Sequence, residues 1–288
     1  FLITTIGITA GVSTIKWKPD GTKIAIGCSN GALFICSALN GEVLFNLHGH
    51  FDTIRALDWS PDGTKLASAS EDVSAIIWDA ESGTKHLALT AHTKELTSVK
   101  WSPDGKKVAT AGYDTKTIIW DASTGTYFML DNLYPSAILS IGWSPDGKKI
   151  ASALNNGQIN MCDAAKGYYL YSLEGHKDAV TTIQWSPDGK KLVSASRDST
   201  AKIWNMTSTN SVPESTTDNE TTYALFPNPA DDEIHVRFTN ETAGPTLLQL
   251  INILGVQVAE FEIPSGARDY TVSLHDLPAG MYVVNYNS

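Results

Sequence analysis

Cysteine is scarce in this chain: three residues in 288, at positions 28, 36 and 162. That leaves no disulfide framework of the kind that staples small secreted domains, and at this length a core can be buried without one. No run is long and apolar enough to span a bilayer, which takes about 20 consecutive apolar residues. No signal peptide is visible. The chain opens at Phe1 without Met, already inside what reads as a strand, so it is taken as a fragment and the missing signal says nothing about export. Lysine is absent beyond residue 206. Of 31 acidic and 21 basic residues, 11 and two lie in residues 207–288, so −9 of the −10 formal charge sits there. Such a balance argues against nucleic-acid binding by that part. All eight Trp lie before it.

What is present is a period. Trp17-Lys-Pro-Asp-Gly21 recurs every 42 residues as Trp-Ser-Pro-Asp-Gly at Trp59, Trp101, Trp143 and Trp185. A fixed interval of this size marks a repeat architecture. Each unit reads as four short strands, for example Val99–Trp101, Lys107–Ala111, Thr117–Asp121 and Tyr127–Leu130. Tight turns separate them, where Pro presets φ and Gly accepts positive φ. About 40 residues per four-stranded unit is the size of a propeller blade. Cys28 and Cys36 flank Asn30-Gly31. A two-residue hairpin there pairs residue 28 with 33 and 36 with 25, which sends the thiols to opposite sheet faces. Three buried free thiols are expected.

Counting from the motif tryptophans sharpens the pattern. Nine residues before lie His50, His92 and His176; nine after lie Ser68, Thr110 and Ser194; thirteen after lie Asp72, Asp114 and Asp198; nineteen after lie Trp78, Trp120 and Trp204. This spacing closely resembles the WD-repeat β-propeller family over residues 1–206. The resemblance implies that each set forms one hydrogen-bonded tetrad pinning its blade. A carboxylate orienting an imidazole, with hydroxyl and indole donors on buried acceptors, suits that role. The second, third and fifth repeats keep all four members. The first has Ile8, Ile26, Asn30 and Cys36 in their places, and the fourth has Tyr134, Ser152, Asn156 and Cys162. Joint loss is expected, because a half-satisfied buried network is worse than an apolar one. His50, Asp72 and Ser68 could also be read as a hydrolase triad, but a set that occurs three times reads as structure. No catalytic residue, metal site or cofactor is expected.

The polar stretch 207–222 reads as a Ser/Thr-rich linker, and residues 223–288 as a small β-sandwich of about six strands. Pro227-Asn228-Pro229 near its start and Leu277-Pro278-Ala279-Gly280 near its end resemble the C-terminal sorting domain of the type IX secretion system of Bacteroidetes. That family implies passage across the outer membrane by the type IX machinery, with release or anchoring at the cell surface. It normally continues into a last strand with basic residues, which is expected to be missing here. The other reading is an immunoglobulin-like accessory sandwich.

The expected fold is therefore all-β: a WD-repeat β-propeller of five repeats plus an immunoglobulin-like sandwich. Five repeats either close their own ring, with Phe1–Ile6 pairing beside Ala201–Trp204, or form part of a larger one. Candidate binding residues sit in the loops around the His and the turn Asp: Phe51, Asp52, Glu71, Lys94, Tyr113, Lys177 and Arg197. Loops on a rigid scaffold are where binding residues concentrate, although any one of these also reads as an ordinary solvated loop residue. Lysines after the Asp-Gly turns could attract polyanions, but each such turn carries an Asp that cancels them. The expected function is an exported or cell-surface scaffold for a protein or glycan partner. The alternative is a secreted propeller enzyme, a glycan lyase or hydrolase, or part of a larger enzyme with its catalytic domain upstream.

Overall fold

The computed structural model describes residues 6–130, 136–206, 223–226, 233–238, 246–252, 257–267, 269–275 and 282–287. Residues 1–5, Tyr134, the segment 207–222 and the sorting-motif residues Pro227, Asn228, Pro229, Leu277, Pro278, Ala279 and Gly280 lie outside the described residues. The chain divides into two compact units, Phe1–Thr207 and Ser208–Ser288.

The first unit is built of antiparallel blades. The first comprises β1 Val12–Trp17, β2 Lys23–Cys28, β3 Leu33–Ser37 and β4 Val43–Leu47; the second, β5 Ile54–Trp59, β6 Lys65–Ser70, β7 Ala75–Asp79 and β8 Lys85–Leu89. The third has β9 Leu96–Trp101, β10 Lys107–Gly112, β11 Thr117–Asp121 and β12 Tyr127–Met129; the fourth, β13 Ile138–Trp143, β14 Lys149–Leu154, β15 Ile159–Asp163 and β16 Tyr169–Leu173. The fifth has three strands among the described residues, β17 Val180–Trp185, β18 Lys191–Ser196 and β19 Ala201–Asn205. In every blade the strands follow one another in order across the sheet.

The repeated Ser-Pro-Asp-Gly turn makes these hairpins reproducible. Asp62 Oδ1 accepts from Ser60 Oγ at 2.6 Å and from the Thr64 N–H at 2.9 Å. Gly63, at φ 68°, closes the turn with a 2.8 Å bond to the Ser60 carbonyl. The left-handed conformation there is why the position is glycine in all five repeats.

Blade faces meet in layers of apolar side chains. Ala25, Leu33, Ile35 and Leu47 of the first blade pack on Ile54, Leu57, Trp59, Leu66 and Trp78 of the second. The same arrangement recurs between second and third, third and fourth, and fourth and fifth. The first strands of successive blades lie side by side, β1 by β5, β5 by β9, β9 by β13 and β13 by β17. The described residues therefore form an open arc. Among the described residues β19 pairs with β18 alone, and no core cluster of those residues joins the fifth blade to the first. Val12, Ile15 and Trp17 are 54%, 62% and 57% exposed at one end, and Val193 and Ile203 are 41% and 73% exposed at the other.

All three thiols are free and buried, and burial pushes those of Cys28 and Cys36 upward. The hairpin register differs from the expected one by a residue: Ile24 pairs with Cys36, and Gly27 with Leu33. This puts Cys28 and Cys36 on the same face rather than on opposite ones. They stay unbonded because four residues of strand, about 13 Å, separate their positions.

The second unit has two three-stranded antiparallel sheets. One orders β20 Tyr223–Phe226, β21 Glu233–Phe238 and β24 Asp269–Ser273; the other orders β23 Gln257–Ile263, β22 Thr246–Asn252 and β25 Tyr282–Asn287. Val236 and Val272 of the first sheet share a buried cluster with Leu248, Leu250 and Ile263 of the second. Alternate apolar residues thus meet between the sheets, as in a sandwich.

Candidate functional site: the tetrads and the loops they hold

Three copies of one polar network are buried in the arc. In the second blade, His50 Nδ1 lies 2.8 Å from Asp72 Oδ2 and Nε2 2.7 Å from Ser68 Oγ, which also accepts from the Trp78 indole at 2.8 Å. In the third, His92 reaches Asp114 at 2.9 Å and Thr110 at 2.8 Å, with Trp120 donating to Thr110 at 2.8 Å. In the fifth, His176 reaches Asp198 and Ser194 at 2.8 Å each, and Trp204 donates to Ser194 at 2.8 Å. All three imidazoles have no exposed surface. Burial holds His50 and His92 below their ordinary range, with the neighbouring carboxylates opposing it. In the neutral form each Nδ1–H donates to the carboxylate and Nε2 accepts the hydroxyl proton.

The carboxylates do more than orient histidine. Asp72 also accepts the Phe51 N–H at 3.0 Å and the Ser74 hydroxyl at 2.7 Å. Asp114 accepts the Thr93 N–H at 3.0 Å, and Asp198 the Lys177 N–H at 2.9 Å and the Thr200 hydroxyl at 2.6 Å. Burial disfavours the charge on Asp72, but the Ser74 hydroxyl and His50 outweigh it and hold the carboxyl below its usual range. The Thr200 hydroxyl leads the same downward shift at Asp198. Each tetrad therefore ties the loop before its blade to the turn within it.

That tie carries strain. Val73, Thr115 and Ser199, each one residue after a tetrad Asp, have φ of 70°, 68° and 66°. Positive φ is uncommon outside glycine and an outlier for a β-branched residue. In the first and fourth repeats, which lack the tetrad, Gly31 and Gly157 occupy this position. A Cβ on Gly31 would come 2.5 Å from the His50 carbonyl oxygen. Where the network is lost, single members keep or gain one contact each. Asn30 Oδ1 accepts the Ala32 N–H at 3.2 Å, and Ser152 Oγ meets Thr117 Oγ1 across a blade joint at 3.1 Å.

The loop residues are spread over the same end of the blades. Phe51 is 90% exposed and Tyr113 44%, and Asp52, Lys94, Lys177 and Arg197 are also exposed. Glu71 is not free: the Arg55 guanidinium binds it through both Nε, at 2.8 Å, and Nη2.

Sequence reasoning missed two features. Lys107 and Lys149 lie over the rings of Phe128 and Tyr171, at 5.4 and 5.6 Å, and Lys23 lies 5.8 Å from Phe45. These turn lysines are spent on outer-strand aromatics, a cation–π contact, and not only on the turn carboxylates. On the inner strands, Asp58 pairs with Lys16 at 3.4 Å and accepts the Trp101 N–H at 2.9 Å. Burial pushes the nearby Lys100 ammonium down, against the pull of Asp58. The signal was available as charged residues one before the motif tryptophans. Among the described residues no group of three His, Cys, Asp or Glu side chains could hold a metal ion.

Repeated antiparallel sheets, three of the five pinned by a His–Asp–hydroxyl–Trp network, define a WD-type propeller, here followed by a β-sandwich. Comparison with known families agrees. Residues 11–166 match the family model described as IFT122 first beta-propeller, residues 167–205 the WD domain, G-beta repeat, and residues 224–288 the secretion system C-terminal sorting domain. The first match spans more than half of the chain, and the chain belongs to this WD-repeat β-propeller family. The third match includes the Pro-Asn-Pro and Leu-Pro-Ala-Gly phrases, and a type IX sorting domain implies export to the medium or the cell surface. No curated protein matches the chain. No helix among the described residues is long and apolar enough to cross a membrane.

Three outcomes are expected. His92→Ala leaves buried partners unsatisfied and lowers stability by about 1–3 kcal/mol; an unchanged thermal midpoint would remove the structural role argued for the tetrad. Val73→Gly relieves the strained φ at a smaller entropic cost and raises stability by about 1 kcal/mol, read by urea titration, with a lower midpoint counting against it. For the pH dependence, the unfolded chain takes up protons on histidine near pH 6.5, whereas folded His50 and His92 do so only at lower pH. Their contribution is complete above that value and is lost as pH falls, by up to about 1.4 kcal/mol per pH unit for each. Melting curves from pH 7.5 to 5 should shift steadily downward; a flat midpoint would show that these imidazoles are not held neutral.

Proposed function

We propose that this chain is an exported scaffold that binds a protein or glycan partner through the loops held by the tetrads, and that it binds without catalysing. The observation that carries this reading is Phe51. It is 90% exposed, yet its own backbone N–H is fixed by the half-buried Asp72 carboxylate. An aromatic presented on a rigid loop binds with little ordering cost. Tyr113 and Arg197, which stand on the corresponding side of the third and fifth blades, are residue types favoured as anchors. The sorting domain supports a partner outside the cell. We read the C-terminal sandwich as immunoglobulin-like and as the part engaged by the type IX machinery.

The test is a binding survey of the purified chain on glycan and surface-protein arrays, repeated with Phe51→Ala and Arg197→Glu. A loss of about tenfold or more in affinity, roughly 1.4 kcal/mol, is expected for either variant, with thermal stability unchanged. Binding that survives both substitutions but falls on replacing Lys106, Lys148 and Lys190, which directly follow the Asp-Gly turns, would move the surface to those turns and sink this assignment.

A further inference from the structure

The position before each motif tryptophan holds Lys16, Asp58, Lys100, Gly142 and Gln184 in turn. Side chains there lean toward the following blade. Asp58 reaches the Trp101 N–H of the third blade. A Cβ on Gly142 would come 3.3 Å from Trp185 Cδ1 and 3.9 Å from Ile183 Cδ1 of the fifth. Trp101 and Trp185 also hold the same register in their own sheets, opposite Val108 and Leu192.

At the second blade this arrangement is complete. The Asp58 carboxylate holds Lys16 Nζ at 3.4 Å through Oδ1 and the Trp101 N–H at 2.9 Å through Oδ2. One carboxylate thus joins an ammonium of the preceding blade to a backbone donor of the next. Two blades further on, both donors recur without it. Lys100 stands where Lys16 stood and Trp185 where Trp101 stood, but the residue between them is Gly142. Among the described residues Lys100 has no ion-pair partner, because Asp58 closes on Lys16 instead. Lys100 is half-buried. Burial pushes its ammonium downward, with Asp58 opposing and Lys16 adding to the push. A charge so placed is costly unless a counter-charge joins it.

We propose that a small free carboxylate, of the size of acetate, binds between the Lys100 ammonium and the Trp185 N–H, in the place that the Asp58 side chain takes at the second blade. The occupant is a carboxylate because Asp58 shows which group this pair of donors takes. It is small because the Trp185 indole already lies at contact distance from the Cβ position of residue 142. The site belongs to the inner strands, and the loops around Phe51 have no part in it.

The intact chain is melted in about 0.1 M sodium acetate and, at the same ionic strength, in sodium chloride, so that general screening is equal. Acetate should raise the midpoint by about 2–4 °C, the shift given by a ligand at several times its dissociation constant. Lys100→Met removes the ammonium and should abolish the difference between the two salts. Gly142→Asp supplies the carboxylate from within the chain. It should melt higher than the parent in chloride and no longer respond to acetate. Tryptophan fluorescence checks that each variant keeps the fold, and Lys100→Met decides alone if Gly142→Asp does not fold. Equal midpoints for the parent chain in the two salts overturn the proposal. So does an acetate shift that persists in either folded variant, as binding to exposed turn lysines would give.

Discussion

A four-stranded blade has two apolar faces and cannot bury either by itself. Everything in the first unit depends on that constraint. Strands such as Ala75–Asp79 and Thr117–Asp121 are buried on both sides, and they read as near-continuous apolar runs rather than as alternation. Burial of this kind is the main favourable term in folding, and here it is delivered joint by joint, between neighbouring blades. Stability in such an array is close to a sum of unit and interface terms. Individual repeats can therefore diverge inside while the joints persist, as the first and fourth repeats do.

The tetrads are the second layer. They do not supply the apolar burial; they fix how one loop and one turn lie over a blade that packing has already positioned. The joint loss of three members in the fourth repeat fits the cost of half-made buried networks. Ser152, the member that remains, has a partner in Thr117 across the blade joint. The second joint shows a different compromise. Trp101 Nε1 is buried with no acceptor, whereas the other cross-joint indoles have one. Its backbone N–H donates instead to Asp58, whose charge is balanced by Lys16. Leaving the indole without an acceptor costs about 1–3 kcal/mol.

Much of this was legible in the sequence, because the signal was periodic. A 42-residue interval makes each side chain a repeated measurement, so the strand order and the three His, Asp, hydroxyl and Trp sets could be read by counting. What stayed hidden was local and unrepeated. The loop at Asn30-Gly31 takes one residue more than the two-residue hairpin assumed, and the pairing of Cys36 moved with it. The pairing of Lys107 with Phe128 was hidden for a geometric reason: both lie on one face of the blade but are separated by an intervening strand. The loop surface was the least legible part. Residues such as Lys94 and Arg197 differ from repeat to repeat, and side chains that contact little leave no pattern by which to rank them.

Rigidity and variability are assigned to different residues of the same loop. At residues 50 and 51, the histidine is sealed inside and the next residue's N–H is held by Asp72, yet the Phe51 ring itself stands in solvent. At residues 176 and 177 the arrangement is the same with a lysine outside. The backbone bond to the carboxylate is indifferent to side-chain identity, so this position can change from Phe to Thr to Lys between repeats without loosening the loop. A scaffold built this way separates the residues that keep the fold from those free to meet a partner. The strained Val73, Thr115 and Ser199 turns belong to the first group: their left-handed backbone persists because the tetrad carboxylates hold it from both sides.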